Sequence, residues 1–74
     1  MYLYLPFKEV RRSDELGSYT TYGIRAVNIL LRRIILTVPD VSTDQTAVSH
    51  LCYLCMLHDL QPVHLLDVII DYIS

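Results

Sequence analysis

The sequence predicts an α+β fold in which a three-stranded antiparallel sheet (βββ) is followed by a helical hairpin (αα) packed on one face. Apolar and polar residues alternate with the period of a β-strand through the first half of the chain. After Pro39, apolar residues recur with the period of an α-helix. No linker, repeat or low-complexity segment separates the two halves, so residues 1–74 are expected to form a single βββαα domain.

The first strand is predicted at the N-terminus, in a segment rich in β-forming residues. Two sets of side chains alternate there: Leu3, Leu5 and Phe7 on one side, and Tyr2, Tyr4 and Pro6 on the other. Pro6 has no N–H to donate to a ladder, so this strand is expected at a sheet edge or with a break. The tract SDELG, residues 13–17, predicts a turn in which Gly17 can adopt a positive φ.

Two further strands are predicted over residues 18–28 and about 31–38. In the first of these, Tyr22, Ile24 and Ala26 share a face, and Gly23 indicates a bulge or close packing by a neighbour. In the last strand the predicted inward set is Ile34, Leu36 and Val38, and the outward set is Arg33, Ile35 and Thr37. One face of the sheet is therefore expected to be wet and basic.

The second half predicts two helices joined by a short reversal. Pro39 is expected to end the third strand, and Ser42 to cap the first helix in a capping box with Gln45. That helix should end near Leu60, because Pro62 favours the first position of a new helix. The predicted buried stripes are Ala47, Val48, Leu51, Leu54, Cys55 and His58 on the first helix and Leu65, Val68, Ile69 and Tyr72 on the second.

The composition predicts an apolar surplus that another molecule covers. Hydrophobic residues make up 53% of the chain and the mean hydropathy is +0.36, yet a chain this short buries only roughly 60% of its unfolded surface. A homodimer or a protein partner is therefore expected. The longest apolar run is broken by Arg32 and Arg33 and is shorter than the ~20 residues of a membrane span. With no signal-peptide pattern at the N-terminus, a cytoplasmic protein with reduced thiols and no membrane contact is expected.

Five apolar residues fall outside the predicted buried stripes of the two helices. They are Tyr53, Met56, Leu57, Val63 and Ile70. Single exposed apolar residues are ordinary, but five on two adjacent helices resemble a patch, and Met with Tyr suits an adaptable contact surface. The sequence thus predicts a protein-interaction surface at these positions.

Both cysteines and two of the three histidines lie within residues 51–66. A single CxxC well inside a helix lacks the helix N-terminal field that activates redox thiols. A zinc-binding module using Cys52, Cys55, His58 and His64 is the alternative, although Cys52 lies about 120° around the helix from His58. We interpret the two cysteines as small packed hydrophobes, and we expect no cofactor and no metal.

Charge is distributed unevenly along the chain. All Lys and Arg residues lie within residues 1–38, whereas residues 39–74 hold five aspartates and no basic residue other than histidine. A second alternative is a weak nucleic-acid binder using Arg11, Arg12, Arg25, Arg32 and Arg33. The acidic half disfavours it, because it would repel phosphates at close range.

Enzymatic activity is not expected from the motifs. The serine and threonine residues lack a nucleophile-elbow sequence, and Gly17 and Gly23 are the only glycines, so no phosphate-binding glycine loop is present. A small non-enzymatic protein-interaction or regulatory module, acting as a homodimer or in a complex, is the predicted function.

Three segments resemble a small family of functionally uncharacterised proteins from Firmicutes. They are LGSYTTYGI at 16–24, DVSTD at 40–44 and LQPVHLLDVIIDYI at 60–73. The resemblance covers roughly residues 14–74 and leaves the N-terminal MYLYLPFKEVRR outside. It implies a short bacterial cytosolic protein, and it assigns no activity and no catalytic residue.

Overall fold

The computed structural model describes residues 1–73. The elements are β1 (Tyr2–Ser13), β2 (Gly17–Asn28), β3 (Arg33–Ser42), α1 (Gln45–Leu57), a 3₁₀ turn (Pro62–His64) and α2 (Leu65–Ile73). The strands form one antiparallel sheet in the order β1-β2-β3. The helices pack on one face of this sheet and share a hydrophobic core with it. The predicted α+β fold is confirmed.

β1 and β2 form a long, regular hairpin. Their pairing runs without a shift from Tyr2 opposite Asn28 to Ser13 opposite Gly17. The Ser13 hydroxyl oxygen accepts hydrogen bonds from the backbone N–H groups of Glu15 and Leu16, and Gly17 has a φ of 70°, which glycine adopts at little cost. The predicted turn is therefore present.

β3 is the irregular strand, and it extends beyond its predicted end at Pro39. One residue of β2, Gly23, faces three residues of β3, because Tyr22 pairs with Ser42 and Ile24 pairs with Val38. Asp40 lies in this bulge with a φ of 54°. Proline is tolerated at edges and bulges of a sheet, and Pro39 occupies both kinds of position. β3 therefore continues to Ser42.

The core lies between the helices and one face of the sheet. Tyr4, Ile24 and Ala26 are buried on this face, with Leu36 and Val38 packed beside them. The Tyr4 hydroxyl donates a hydrogen bond to the Leu60 carbonyl in the connection between the helices. On β1, therefore, the tyrosine set faces the helices and the leucine set faces away.

The ends of α1 differ from the predicted ones. Its N-cap is Asp44, whose side chain accepts from the backbone N–H groups of Thr46 and Ala47 at 3.0 and 3.3 Å. Ser42, the predicted cap, still belongs to β3. α1 ends at Leu57, because the Leu60 N–H bonds to the Cys55 carbonyl at 2.9 Å while Asp59 adopts a φ of 50°. This is a Schellman termination with aspartate in the left-handed position.

The buried stripe of α1 is rotated from the predicted one. Cys52 is buried with Val48, Leu51 and Cys55, whereas His58 is exposed because it is already the C-cap. On α2, Leu65 and Ile69 are buried as predicted and Tyr72 is exposed. Among residues 1–73, no helix is both long and apolar enough to cross a membrane.

The molecule is extended for its size. Its Cα radius of gyration is 12.7 Å, and its principal extents are 41 × 26 × 19 Å. A compact domain of this length has a radius of gyration of about 11 Å. The long hairpin produces this shape, because it reaches past the helices that cover it. Much apolar surface is consequently left uncovered.

Candidate interaction surfaces

The sheet has a face that neither described helix covers, which we call the open face. Strand pairing assigns these residues to it: Leu3, Leu5, Phe7, Glu9 and Arg11 of β1, Tyr19, Thr21, Gly23, Arg25 and Val27 of β2, and Ile34 and Thr37 of β3. One end of the face is apolar. There Leu3, Leu5 and Ile34 are exposed, with Leu5 at 43%. An open face that carries leucines is unusual, because antiparallel sheets normally turn a polar face to water.

The middle of the open face is built around a glycine. The Phe7 ring lies directly on Gly23, so closely that a Cβ atom there would be 2.5 Å from Phe7 Cζ. The Arg25 guanidinium carbon lies 4.3 Å from the centroid of the same ring, a cation–π contact. Phe7 therefore packs between the backbone of Gly23 and the guanidinium of Arg25.

A hydrogen-bond network occupies the other end of the open face. The Thr21 hydroxyl, fully buried, lies 2.8 Å from Asp40 Oδ1 and 3.1 Å from the Ser42 carbonyl oxygen. The Asp40 N–H donates to Glu9 Oε1 at 3.2 Å, and Arg11 Nε donates to the same oxygen at 3.1 Å. The Glu9 carboxylate raises the pKa of Arg11 through this bond. Since the network joins all three strands, it holds the Asp40 bulge in place.

The turn between β2 and β3 follows the apolar end of the open face and also reaches the helical side, where Ile29 lies near Met56. Leu30 is 85% exposed, and Ile29 and Leu31 beside it are exposed too. The turn is ordered, because the Leu31 N–H donates to Asn28 Oδ1 at 3.0 Å and Arg32 adopts a φ of 52°. The sequence prediction missed this surface. The signal for it was the uninterrupted apolar run Ile29–Leu31, which the sequence analysis considered only as part of a possible membrane span.

The five predicted interaction residues all lie on the surface. Tyr53, Met56, Leu57, Val63 and Ile70 have exposed fractions between 38% and 79%. Leu66 and Ile73 on α2 are exposed with them. We call this set the helical surface. The role of the helical surface in binding stays a prediction, and the open face is a second candidate interaction surface.

The cysteines are buried and reduced. Burial raises the pKa of Cys52 to about 12, with a further contribution from the neighbouring Cys55, whose own pKa is raised by burial. Both groups therefore stay as thiols at neutral pH, and thiols are poor nucleophiles. His58 and His64 are exposed. Within residues 1–73, no three His, Cys, Asp or Glu side chains are placed to hold a metal ion together.

These raised pKa values predict that the protein loses stability in alkali. The pKa of Tyr4 is raised to about 12, mainly by burial, and that of Cys52 to about 12, from ordinary values of 10.0 and 9.0. The folded state therefore holds these protons more tightly than the unfolded state, and the resulting stability is complete below about pH 9. We expect the free energy of unfolding to fall progressively between about pH 9 and 12. Urea unfolding followed by circular dichroism at stepped pH measures this.

The matched control for alkaline unfolding is Cys52→Ala. It removes one titrating group, so the decline in stability above pH 9 should be shallower than in the wild type, whatever the variant's stability at pH 8. A wild-type free energy that stays level across this range would contradict the role assigned to the buried groups.

The arginines are divided between surfaces. Arg11 and Arg25 belong to the open face, whereas the pairing of Arg12 with Ser18 and of Arg33 with Asn28 places both on the opposite side of the sheet. Arg32 lies in the turn. The prediction that one face of the sheet is wet and basic is therefore wrong. The physical reason is the β3 irregularity at Ile35, which shifts the alternation and moves Arg33 to the other side.

A cleft separates the two helices on the far side of the sheet from the open face. It has a volume of about 440 Å³ and lies between α1, the Leu60 segment and α2. Its walls are mainly aliphatic, with Cys55 in one wall and Asp71 and Tyr72 in the other. His50 Nδ1 and the Tyr72 hydroxyl are hydrogen-bonded at 3.0 Å and so link α1 to α2.

A family model matches residues 2–74 of the chain. The protein belongs to the family of unknown function DUF6514. The DUF6514 match includes β1, which lay outside the resemblance noted from the sequence motifs. No curated protein and no solved structure matches the sequence.

Proposed function

We propose that this DUF6514 protein is a non-enzymatic interaction module that acts in the cytosol as a homodimer, with the open face packed on the same face of a second copy. The supporting observation is the exposed apolar end of that face, Leu3, Leu5 and Ile34, extended by Leu30 at the turn. A sheet whose two faces are both apolar is normally covered on both. The helices cover only one.

The open face has the size that a dimer requires. Strands rise about 3.3 Å per residue and lie about 4.8 Å apart, so three strands of this length present a flat footprint of about 600 Å². Side-chain relief makes the accessible area larger than the footprint. A standard interface buries about 800 Å² on each partner, so the open face and the turn beside it are sufficient.

The apolar end of the open face is self-complementary, which supports a second copy of the chain as the partner. In a two-fold dimer the same patch is buried on both subunits, so Leu3, Leu5 and Ile34 of one copy pack on the same residues of the other. The network of Glu9, Arg11 and Asp40 lies toward the other end of the face and stays at the polar rim of this contact.

The zinc and nucleic-acid alternatives have less support. The zinc alternative requires Cys52, Cys55, His58 and His64 to converge, whereas both cysteines are buried and both histidines are exposed, and no such group is formed within residues 1–73. The nucleic-acid alternative requires a basic surface, whereas the five arginines are divided between both sides of the sheet and a turn.

A pair of leucine-to-arginine substitutions tests the dimer. Size-exclusion chromatography with light scattering should give the wild type twice the 8.6 kDa chain mass. Leu5→Arg places an unpaired charge within the apolar end of the open face, and we expect it to weaken the dimer by about 30-fold or more. Leu57→Arg is the matched control, because Leu57 is at least as exposed but lies on the helical surface.

The pair also separates the two candidate surfaces. If Leu57→Arg yields monomers and Leu5→Arg does not, the interface is the helical surface. A wild type that stays monomeric at high micromolar concentration, and that retains no protein in pull-downs from its source, contradicts the proposal.

A further inference from the structure

The cleft between α1 and α2 has the dimensions of a small-molecule site. Its volume of about 440 Å³ falls within the roughly 300–1,000 Å³ of most ligand pockets. Leu51 and Leu54 of α1, Leu60 of the connection and Val68 of α2 form its apolar walls. It lies across the sheet from the open face, so the proposed dimer leaves it accessible.

The ionisable lining of the cleft is small. Asp71 supplies one carboxylate and His58 one imidazole, and neither lysine nor arginine lines the cleft. Residues 43–74, which supply both helices and their connections, hold four aspartates and no lysine or arginine. Cys55 contributes a neutral wall, because burial raises its pKa. The field in the cleft therefore disfavours anions such as fatty carboxylates and phosphates, and it favours cations.

We propose that this cleft binds a small cationic amphiphile, an alkyl or aryl ammonium compound. Its apolar part packs against Leu51, Leu54 and Val68, and its ammonium group pairs with the Asp71 carboxylate at the rim. Burial of the apolar part supplies most of the affinity, since Asp71 is exposed and an exposed ion pair contributes little. Asp71 supplies the preference for a cation, which we expect to be about two- to fivefold over a neutral analogue.

Three eight-carbon probes test this preference on the full chain. Octylammonium, octanol and octanoate share one chain and differ in head-group charge. Isothermal titration calorimetry, run below the critical micelle concentrations of the two ionic probes and below the solubility limit of octanol, should give saturable binding with affinity falling from octylammonium to octanol to octanoate. Amide chemical-shift changes in the nuclear magnetic resonance spectrum should map to α1 and α2. Octanoate binding as tightly as octylammonium, or shift changes confined to the open face, would overturn the proposal.

Matched variants assign the effect to the cleft. Asp71→Asn should remove the preference for octylammonium over octanol, while Asp67→Asn, a substitution on the same helix outside the lining, should preserve it. Val68→Phe should fill the cleft and abolish binding of all three probes, and Leu54→Phe does the same from the opposite wall if the first variant does not fold. Equal effects of the two aspartate substitutions would overturn the assignment to Asp71.

The outcome is independent of the proposed homodimer. Leu5→Arg, expected to be monomeric, should bind octylammonium as tightly as the wild type. If octylammonium instead competes with self-association, the natural occupant of the cleft is a second copy of the chain, and the small-molecule proposal fails.

Discussion

Replacing Gly23 with alanine is expected to lower the free energy of unfolding by about 2–4 kcal/mol, a large share of the roughly 4–11 kcal/mol available to a domain of this length. The added Cβ would be 2.5 Å from Phe7 Cζ and 2.5 Å from the Val38 carbonyl oxygen. The Phe7 ring can turn aside. The Val38 oxygen belongs to the backbone of β3, however, and cannot retreat without disturbing the pairing of Val38 with Ile24. The strand must shift or the sheet must open.

Gly17→Ala is the control for this substitution. Gly17 has a φ of 70° with nothing within 4 Å of an added Cβ, so alanine there costs about 1 kcal/mol of backbone strain and no clash. Urea unfolding of both variants at one protein concentration gives the comparison. In a Phe7→Ala background, Gly23→Ala should cost less than in the wild type but still destabilise, because the Val38 oxygen remains. Equal costs for the two single substitutions would mean that Gly23 is not closely packed.

Gly23 also shows how far sequence patterns lead. A glycine within a β-forming run predicts a bulge or a close neighbour, and both are present. The identity of the neighbour was not predictable, because Phe7 and Val38 are distant in the chain. The fold class, in contrast, was predictable, because periods of two and of 3.6 residues are local properties that the sequence displays directly.

The boundaries of β3 and α1 were wrong because contacts between distant residues decide them. Pro39 ends a strand by local rules. In this protein the bulge after it is held by Asp40, which bonds to Thr21 and Glu9 across the sheet. Once β3 runs on to Ser42, that residue is no longer free to cap α1, and Asp44 takes its place. One long-range network therefore moved two predicted boundaries.

The candidate surfaces were predicted only in part, for a different reason. Helical periodicity identified outward positions correctly, since Tyr53 and Leu57 are exposed. Alternation along a strand identifies two faces without showing which of them the helices cover. On β1 both faces carry large apolar groups, and the hydrogen bond from Tyr4 to Leu60 decides between them. The open face was therefore not visible in the sequence.

The orientation of β1 can be tested by comparing the neighbours Tyr4 and Leu5. Tyr4→Ala should lower the free energy of unfolding by about 3–5 kcal/mol, because it empties a core site that is 1% exposed. Tyr4→Phe keeps the ring and should cost about 1–2 kcal/mol, since the half-buried Leu60 carbonyl loses its donor. Leu5→Ala should cost about 1 kcal/mol or less at concentrations low enough to keep the protein monomeric, because Leu5 points away from the core.

Urea unfolding followed by circular dichroism gives all three values. The ranking Tyr4→Ala, then Tyr4→Phe, then Leu5→Ala has the same origin as the proposed dimer, namely that β1 turns its tyrosines toward the helices and its leucines toward a second copy. At high protein concentration, Leu5→Ala should lose more stability than at low concentration, since the dimer then contributes to the wild type. A Leu5→Ala cost that matches Tyr4→Ala at low concentration would reverse the strand and remove the apolar open face on which the homodimer depends.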